Sequence, residues 1–448
     1  MAAKITDFLR DEDGAITALS LQMFLATCAI GALAVDFGNG MSAQTRLQVA
    51  ADATAHAALV TREFHSADAS AEEAVKIGAL NMPAGKYGNV MTASDVNFGS
   101  WDRDAQVFTI DPTLKDAVMV QTHRTQANGN GVVTFLMRLA GREQLDVNAG
   151  SVFETYYPTC FKEGLVAQER VEIQSNNLFA SGFCIHSEHY ASFNSGNTFE
   201  TGSVVSMPRL ADVELPSSGL ESNTGLADAL LAGQRQIKII GRIKDIIAGI
   251  ENPTDPLYGI MTPTSPYYRP YITNATVNQV KARGKTNLDP NYFKTGQVNY
   301  MTCKNDNQHK TFADGFEIHD TVIVSDCILT FSSGTVIEDS IIVSTNTDVA
   351  ALNGSANITI GRDDHCAEGG GSTLITLGGV SFPSGLGLYG SQILAVGDVS
   401  VTSNADGMEG ASIVSGGQLD VTSNGTFGFC GGDGLGNTYQ AAYFRLAK

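Results

Sequence analysis

Acidic side chains and histidines crowd one stretch of the chain. Asp363-Asp364-His365 follows Glu317, His319, Asp320, Glu338 and Asp339. Two carboxylates on either side of a glycosidic bond can act as acid and base, so sugar cleavage is the chemistry this set would offer. The local context argues otherwise. Asp320 and Asp339 hold the same place in a repeated phrase, which marks them as turn residues. Asp363-Asp364 closes a β-prone run and precedes Gly-rich sequence, where carboxylates are common in turns. Phosphate-loop, nucleophile-elbow and dinucleotide-binding motifs are all missing, so no cofactor is expected. The reading is a chain without catalytic or metal-binding residues.

The cysteines speak of compartment. Cys28 lies in an apolar run, and six others follow: Cys160, Cys184, Cys303, Cys327, Cys366 and Cys430. No C-x-x-C pair is present, which removes support for zinc or thioredoxin-like chemistry. An even six suits three disulfides in an oxidising compartment. Cys160 and Cys184 stand as far apart as Cys303 and Cys327, about one coil of the repeat described next. That spacing predicts these two pairs and leaves Cys366 with Cys430.

The elements that carry these residues are β-rich. Of 448 residues 47 are glycine and only 17% are charged, with a net charge of −19. An acidic chain lacks the basic face that nucleic acid requires, and 43% hydrophobic residues exclude a disordered one. The last third repeats itself. Asp320-Thr-Val-Ile-Val-Ser325 aligns with Asp339-Ser-Ile-Ile-Val-Ser344, Gly378-Gly-Val-Ser-Phe382 with Gly397-Asp-Val-Ser-Val401, and Val399-Ser-Val-Thr-Ser-Asn404 with Leu419-Asp-Val-Thr-Ser-Asn424. Units of this size cannot bury an apolar face alone, so they stack as a parallel β-helix. Val324 should then neighbour Val343, and Val401 should neighbour Val421. Ser403-Asn404 over Ser423-Asn424 would place like side chains on successive turns. Similar texture at Val171–Asn177 and Ala191–Asn197 extends the solenoid upstream. Residues 216–300 read as an insertion, with a basic amphipathic helix from Leu226 to Ile250 and a Pro/Tyr-rich loop region. Gly431-Gly-Asp-Gly-Leu-Gly-Asn437 is similar to one copy of a calcium-binding glycine-aspartate repeat, and a single copy predicts only a loop.

At the N-terminus, Ala15–Val35 contains no charged residue. As a helix it is about 30 Å long, enough to cross a bilayer. Lys4 and Arg10 before it, against Arg46 alone soon after, favour export of the remainder. Leu47, Ala51, Ala55, Ala58 and Leu59 form an apolar stripe on a second helical stretch, with a bend expected at Gly38 and Gly40.

Gly14, Asp36-Phe37-Gly38 and Leu47-Gln48 through Ala51-Asp52-Ala53 occur in an order that resembles Flp pilus-assembly TadG-like proteins of the bacterial tight-adherence system. Residues 88–152 resemble the strand-rich piece of the related TadE-like proteins more loosely. The residue five after Gly14 is Leu19, where prepilin-type processing usually has Glu, so the span is expected to stay uncleaved. Asp398-Val399-Ser400-Val401-Thr402 is superficially similar to the metal motif of the von Willebrand A domain that many TadG-like proteins carry, but the repeat accounts for it.

The expected architecture is mainly β: a membrane anchor and pilin-like helix at 1–64, a small α/β region at 65–155, first β-helix coils at 156–215, the helical insertion at 216–300 and a parallel β-helix at 301–448. The resemblance implies a non-enzymatic minor pilin-like or pilus-associated subunit. It would sit single-pass in the bacterial inner membrane with its C-terminal part periplasmic, or at the cell surface as part of a pilus. Partners would be other pilin or assembly subunits, met through the N-terminal helix, and a surface or carbohydrate ligand is open. The competing expectations are a membrane-anchored adhesin outside any pilus and a carbohydrate-active β-helix enzyme.

Overall fold

The computed structural model describes residues 15–282, 284, 286–303 and 308–448, with backbone alone at 15, 32, 139, 140, 384 and 403–406. Lys4, Arg10 and Gly14 lie outside the described residues, as do the side chains of Ser403 and Asn404. Two compact units emerge, one of residues 1–156 with 443–448 and one of residues 157–442.

The first unit is built on helix α1, Ala15–Arg62. The bend expected at Gly38 and Gly40 is not a break, because the helix runs through both residues. The Asp36 carboxylate accepts from the Phe135 N–H of a neighbouring hairpin and Asn39 Nδ2 donates to its Val133 carbonyl, bonds that hold the backbone where glycine alone would weaken it. The stripe Leu47, Ala51, Ala55, Ala58 and Leu59 is buried, against Phe98, Val118 and Val120 among others. Helix α2, Ala67–Asn81, starts at Ser66, whose hydroxyl accepts from the Ala69 N–H at 3.3 Å. It can approach α1 because position 78 is glycine: a Cβ there would lie 2.1 Å from Thr54 Oγ1. Strands β1 (Val96–Asp102), β2 (Val107–Ile110), β3 (Ala117–Arg124) and β4 (Val147–Tyr156) form an antiparallel sheet in the order β2-β1-β3-β4, and the chain's last strand, Tyr443–Leu446, pairs with β4. Arg103 and Arg445 both donate to the Glu154 carboxylate, tying that last strand in place.

The second unit is a parallel β-solenoid. One of its sheets holds β5 (Gly164–Ala167), β6 (Cys184–Ser187), β7 (Val204–Met207), β8 (Leu230–Ala232), β9 (Asn274–Gln279), β10 (Gln297–Met301), β11 (Val322–Ser325), β12 (Ile341–Ser344), β13 (Thr373–Thr376), β14 (Gln392–Ala395) and β15 (Ser412–Ser415). Their order in space is β8-β7-β6-β5-β15-β14-β13-β12-β11-β10-β9, all parallel. A second parallel sheet is made from the other strands of the same coils. The spatial order is not the chain order. The chain joins the stack in its middle, at β5, and builds four strands toward one end. Residues 233–273 then carry it to the opposite end, where β9 starts the return. The last coil stacks on the first through Ser412↔Gly164, Ile413↔Leu165, Val414↔Val166 and Ser415↔Ala167.

Register follows the repeats. Val324 pairs with Val343 and Val401 with Val421. Val401 and Val421 point into the tube and belong to its core, whereas Val324 and Val343 alternate with the core residues Ile323 and Ile342 and face outward together. All four are nonetheless fully buried. The outward face is covered by helix α3, Lys238–Glu251, which packs on β10 and β14 and buries Ile239, Ile243, Ile246, Ile247 and Ile250. This corrects the expected helix from Leu226 to Ile250. Leu226–Ala229 is a single turn, and Leu230–Ala232 extends, because its backbone completes the sheet edge beside β7. The apolar face of α3 is spent on its own unit, not on a membrane.

Ladders of like side chains run along the stack. The Asn177 backbone and side-chain N–H groups donate to Asn197 Oδ1 at 2.9 and 3.1 Å, and Asn197 repeats the pattern on Asn223 at 3.0 Å. At another corner, the Thr321, Ser340 and Ser372 amides donate to Ser340, Ser372 and Ser391 hydroxyls. Inside, Phe312 stacks on Phe331 at 5.0 Å, and Phe179 is sandwiched between Phe199 and Phe427 at 4.9 and 4.8 Å. Each such ring pair contributes about 0.5–1.5 kcal/mol beyond area burial.

Two stability predictions follow from this packing. Val343→Asp places a carboxylate on the fully buried outer face and should lower unfolding free energy by about 3 kcal/mol or more. Val349→Asp, at an 82% exposed turn position, should change it little; equal denaturant midpoints for the two variants would refute the covered outer face. His186 supplies the second. It donates to or accepts from Ser206 Oγ at 2.7 Å, and burial pushes its pKa down to about 4, a backbone hydrogen bond at Arg235 opposing and the Arg235 charge assisting. The folded state stays neutral while the unfolded state takes a proton below its ordinary value of 6.5, so stability falls as pH drops from 6.5 to about 4. The loss should reach roughly 3 kcal/mol at most, and His186→Gln should flatten that limb of the pH–stability curve.

Candidate functional site: the two halves of the long helix

The first half of α1 is bare. Within Ala15–Val35, Ile16, Leu19, Leu21, Phe24, Leu25 and Leu33 are all exposed. This stretch is exposed along its length, and by length and composition the helix is long and apolar enough to cross a membrane. Exposed apolar surface on this scale marks a contact with lipid or protein.

The second half is docked, and the junction is Asp36. Its carboxylate is fully buried and accepts from the backbone N–H groups of Phe135, Leu136 and Met137 at 2.6, 2.9 and 2.6 Å. Those donors open the short 3-10 turn Met137–Ala140, whose first N–H groups have no partner within the turn. Burial pushes the carboxyl upward, but the Met137, Phe135 and Leu136 amides, helped by the Arg138 charge, hold it below its ordinary value. Farther along, Gln48 Nε2 donates to Asp52 Oδ1 at 2.8 Å and to the Gly150 carbonyl at 2.9 Å, while the Thr122 hydroxyl reaches the Leu47 carbonyl at 3.2 Å.

The motif residues thus divide by role. Asp36 binds the helix to the hairpin, Leu47, Gln48 and Ala51 bind it to its sheet, and Asp52 holds Gln48, with Ala53 half-buried beside them. Phe37 is 69% exposed, and a Cβ on Gly38 would meet nothing within 4 Å. The hairpin that receives Asp36 escaped the sequence reading. A lone Asp at the end of an apolar run was the available signal, since such a group needs a partner.

The other candidate residues lie in turns and at corners of the solenoid. Asp320 and Asp339 take left-handed φ values of +46° and +43°, the conformation of tight turns that Asp tolerates. Asp339 accepts from the Gly370 N–H and from Asn437 Nδ2, Asp364 from the Ala367 N–H, and Asp398 from the Gln418 N–H. Glu338 is engaged by Arg362 at 2.8 Å, with His319 at 3.7 Å; Glu317 lies 3.8 Å from His319. Asp363, His365 and Glu409 bring ligand atoms within 4.8 Å of one another on an exposed corner. The 431–437 loop serves the stack: Glu163 accepts from the Cys430 and Gly432 N–H groups, and Asn437 donates to the Gly371 carbonyl. Three disulfides join Cys160 to Cys184, Cys303 to Cys327, and Cys366 to Cys430, and Cys28 is free.

Residues 164–431, more than half of the chain, match the family described as Domain of unknown function (DUF7867). The chain belongs to that family. The DUF7867 match opens at the first residue of β5 and ends just past Cys430, so it follows the solenoid. Residues 14–75 match a second family, the putative Flp pilus-assembly TadE/G-like proteins. The N-terminal segment is accordingly TadE/G-like, which associates this DUF7867 chain with Flp pilus assembly. Neither curated proteins nor solved structures give a match.

Asp36→Ala should accelerate hydrogen exchange at the Phe135, Leu136 and Met137 amides while leaving the solenoid amides unchanged. Because the folded pKa is depressed, the contribution of Asp36 is present above its ordinary value of 3.8 and is lost as pH falls below it. Unchanged exchange at these amides in the variant would show that the carboxylate does not hold the hairpin.

Proposed function

We propose that this chain is a non-enzymatic, minor pilin-like or pilus-associated subunit of a tight-adherence pilus, carrying its solenoid for assembly or adhesion. The observation that supports the reading most strongly is that the TadE/G-like match at 14–75 coincides with a helix bare in its first half and docked in its second. The bare half sits single-pass in the inner membrane and meets the helices of other subunits. Everything beyond Asp36 lies on the periplasmic side. Three disulfides in the second unit favour that compartment. Each loop closed by a pair of this kind contributes on the order of 3 kcal/mol in a chain-entropy account.

Topology and assembly are separately testable. Alkaline phosphatase fused after Lys448 should be active, and a cytoplasmic reporter at the same place silent. Leu25→Arg places a charge in the bare half at a cost of about 2.5–3.5 kcal/mol in a bilayer, and should shift the chain out of the membrane fraction. Sheared pili from the native strain should contain the full-length chain below the level of the main subunit, and pili from the Leu25→Arg strain should lack it. Normal pili that never contain the chain would refute the pilus reading and leave a membrane-anchored adhesin.

A further inference from the structure

The hairpin that receives Asp36 has a feature that docking does not use. Its arms are Val132–Val133 and Gln144–Leu145, paired antiparallel. Asn39 Nδ2 donates to the Val133 carbonyl at 3.0 Å, and position 40 of the helix lies against Leu145. The arms are therefore level with residues 39 and 40 of α1, and the tip, bonded to Asp36, is nearer the bare half. At 1.5 Å per residue the offset is about 5 Å. The tip is closed on itself by Thr134 N–H to the Glu143 carbonyl and Arg142 N–H to the Met137 carbonyl, at 3.0 and 3.1 Å. It is thus a defined projection, level with the end of the apolar run at Val35 and Asp36.

Its chemistry is unusual for an acidic chain. Val133, Phe135 and Leu136 are 57%, 58% and 40% exposed, and Phe37 and Met41 on the facing stretch of helix are 69% and 57% exposed. Arg138 and Arg142 are exposed on the same tip, with Glu143 as the acid beside them. Apolar side chains level with the end of a span, accompanied by arginines, match the boundary between acyl chains and phosphates.

We propose that the 133–142 tip is a second membrane contact. Phe135 and Leu136 enter the interface of the leaflet from which α1 emerges, and Arg138 and Arg142 reach lipid phosphates. The inference rests on the reading that Ala15–Val35 spans the bilayer, and continuity with that span singles out lipid as the occupant. Asp36 then acts as the strut that sets the depth of the tip. It also fixes the helix against tilting about its exit point, because the protein would touch the membrane at two places.

The test uses the full chain in nanodiscs of phosphatidylcholine and phosphatidylglycerol, with and without bromine on the acyl chains. Phe135→Trp adds one indole to the native Trp101, whose signal is subtracted using the unsubstituted chain. The added fluorescence should be blue-shifted and roughly twofold quenched in brominated discs, and Arg138→Glu with Arg142→Glu should reduce that quenching. Cys28 reports the span independently, since a membrane-impermeant maleimide should fail to label it. Protected Cys28 with an unquenched indole overturns the tip contact and leaves the anchor standing. The same holds if the tip cross-links to a second copy while the indole stays unquenched. A labelled Cys28 overturns the anchor, and the tip contact with it.

Discussion

The solenoid depends on a seam between residues far apart in the chain. Coils that start at β5 and coils that end at β15 each present an open strand edge, and an isolated edge leaves backbone N–H and carbonyl groups unpaired. The parallel register of Ser412–Ser415 on Gly164–Ala167 pairs the two edges with each other. Around it, Phe427 stacks on Phe179, the Gly425 N–H donates to Asn177 Oδ1 at 2.8 Å, and the buried Glu163 carboxylate takes the Cys430 and Gly432 N–H groups. Burial pushes Glu163 up and these donors pull it down; the upward effect wins. The seam converts two short stacks into one long one with two ends in place of four.

A different constraint governs α1. One continuous helix must satisfy lipid or neighbouring helices along its first half and a packed sheet along its second. Composition meets both demands: bulky apolar residues without charge up to Val35, then small residues such as Ala51, Ala55 and Ala58 that let the sheet come close. Asp36 stands where the demand changes. Buried and held by three amides, it ends the apolar run without leaving an unpaired charge.

Much of this was legible because repeated strands repeat their letters. The phrases at 320 and 339, and at 399 and 419, pair residue for residue. The cysteine spacings near one coil could be read the same way, since one turn of the tube returns the chain to its starting corner. The seam was written as well: Val171-Glu-Ile-Gln-Ser-Asn176 lies over Leu419-Asp-Val-Thr-Ser-Asn424, but the two phrases stand 248 residues apart, far beyond the length of one coil. Other features left no letters. The partners of Asp36 are backbone amides, which every residue but proline carries. The strand Leu230–Ala232 is helical by composition and extended only because an edge beside Val205–Met207 was waiting for it.

The permuted order of coils has a mechanical consequence. Tyr156, at the end of β4, and Tyr443, where the last strand begins, are paired neighbours in the first unit, and the whole solenoid is strung between them. Tension between the units is therefore shared by two polypeptide tethers instead of one. Neither end of the coil stack carries a chain terminus, so a pull transmitted through the tethers enters at the seam, where the chain begins and ends its passage through the stack. The strand by which the chain enters is paired on both sides, whereas a terminus-tethered solenoid would present an edge coil, paired on one side only, to the load.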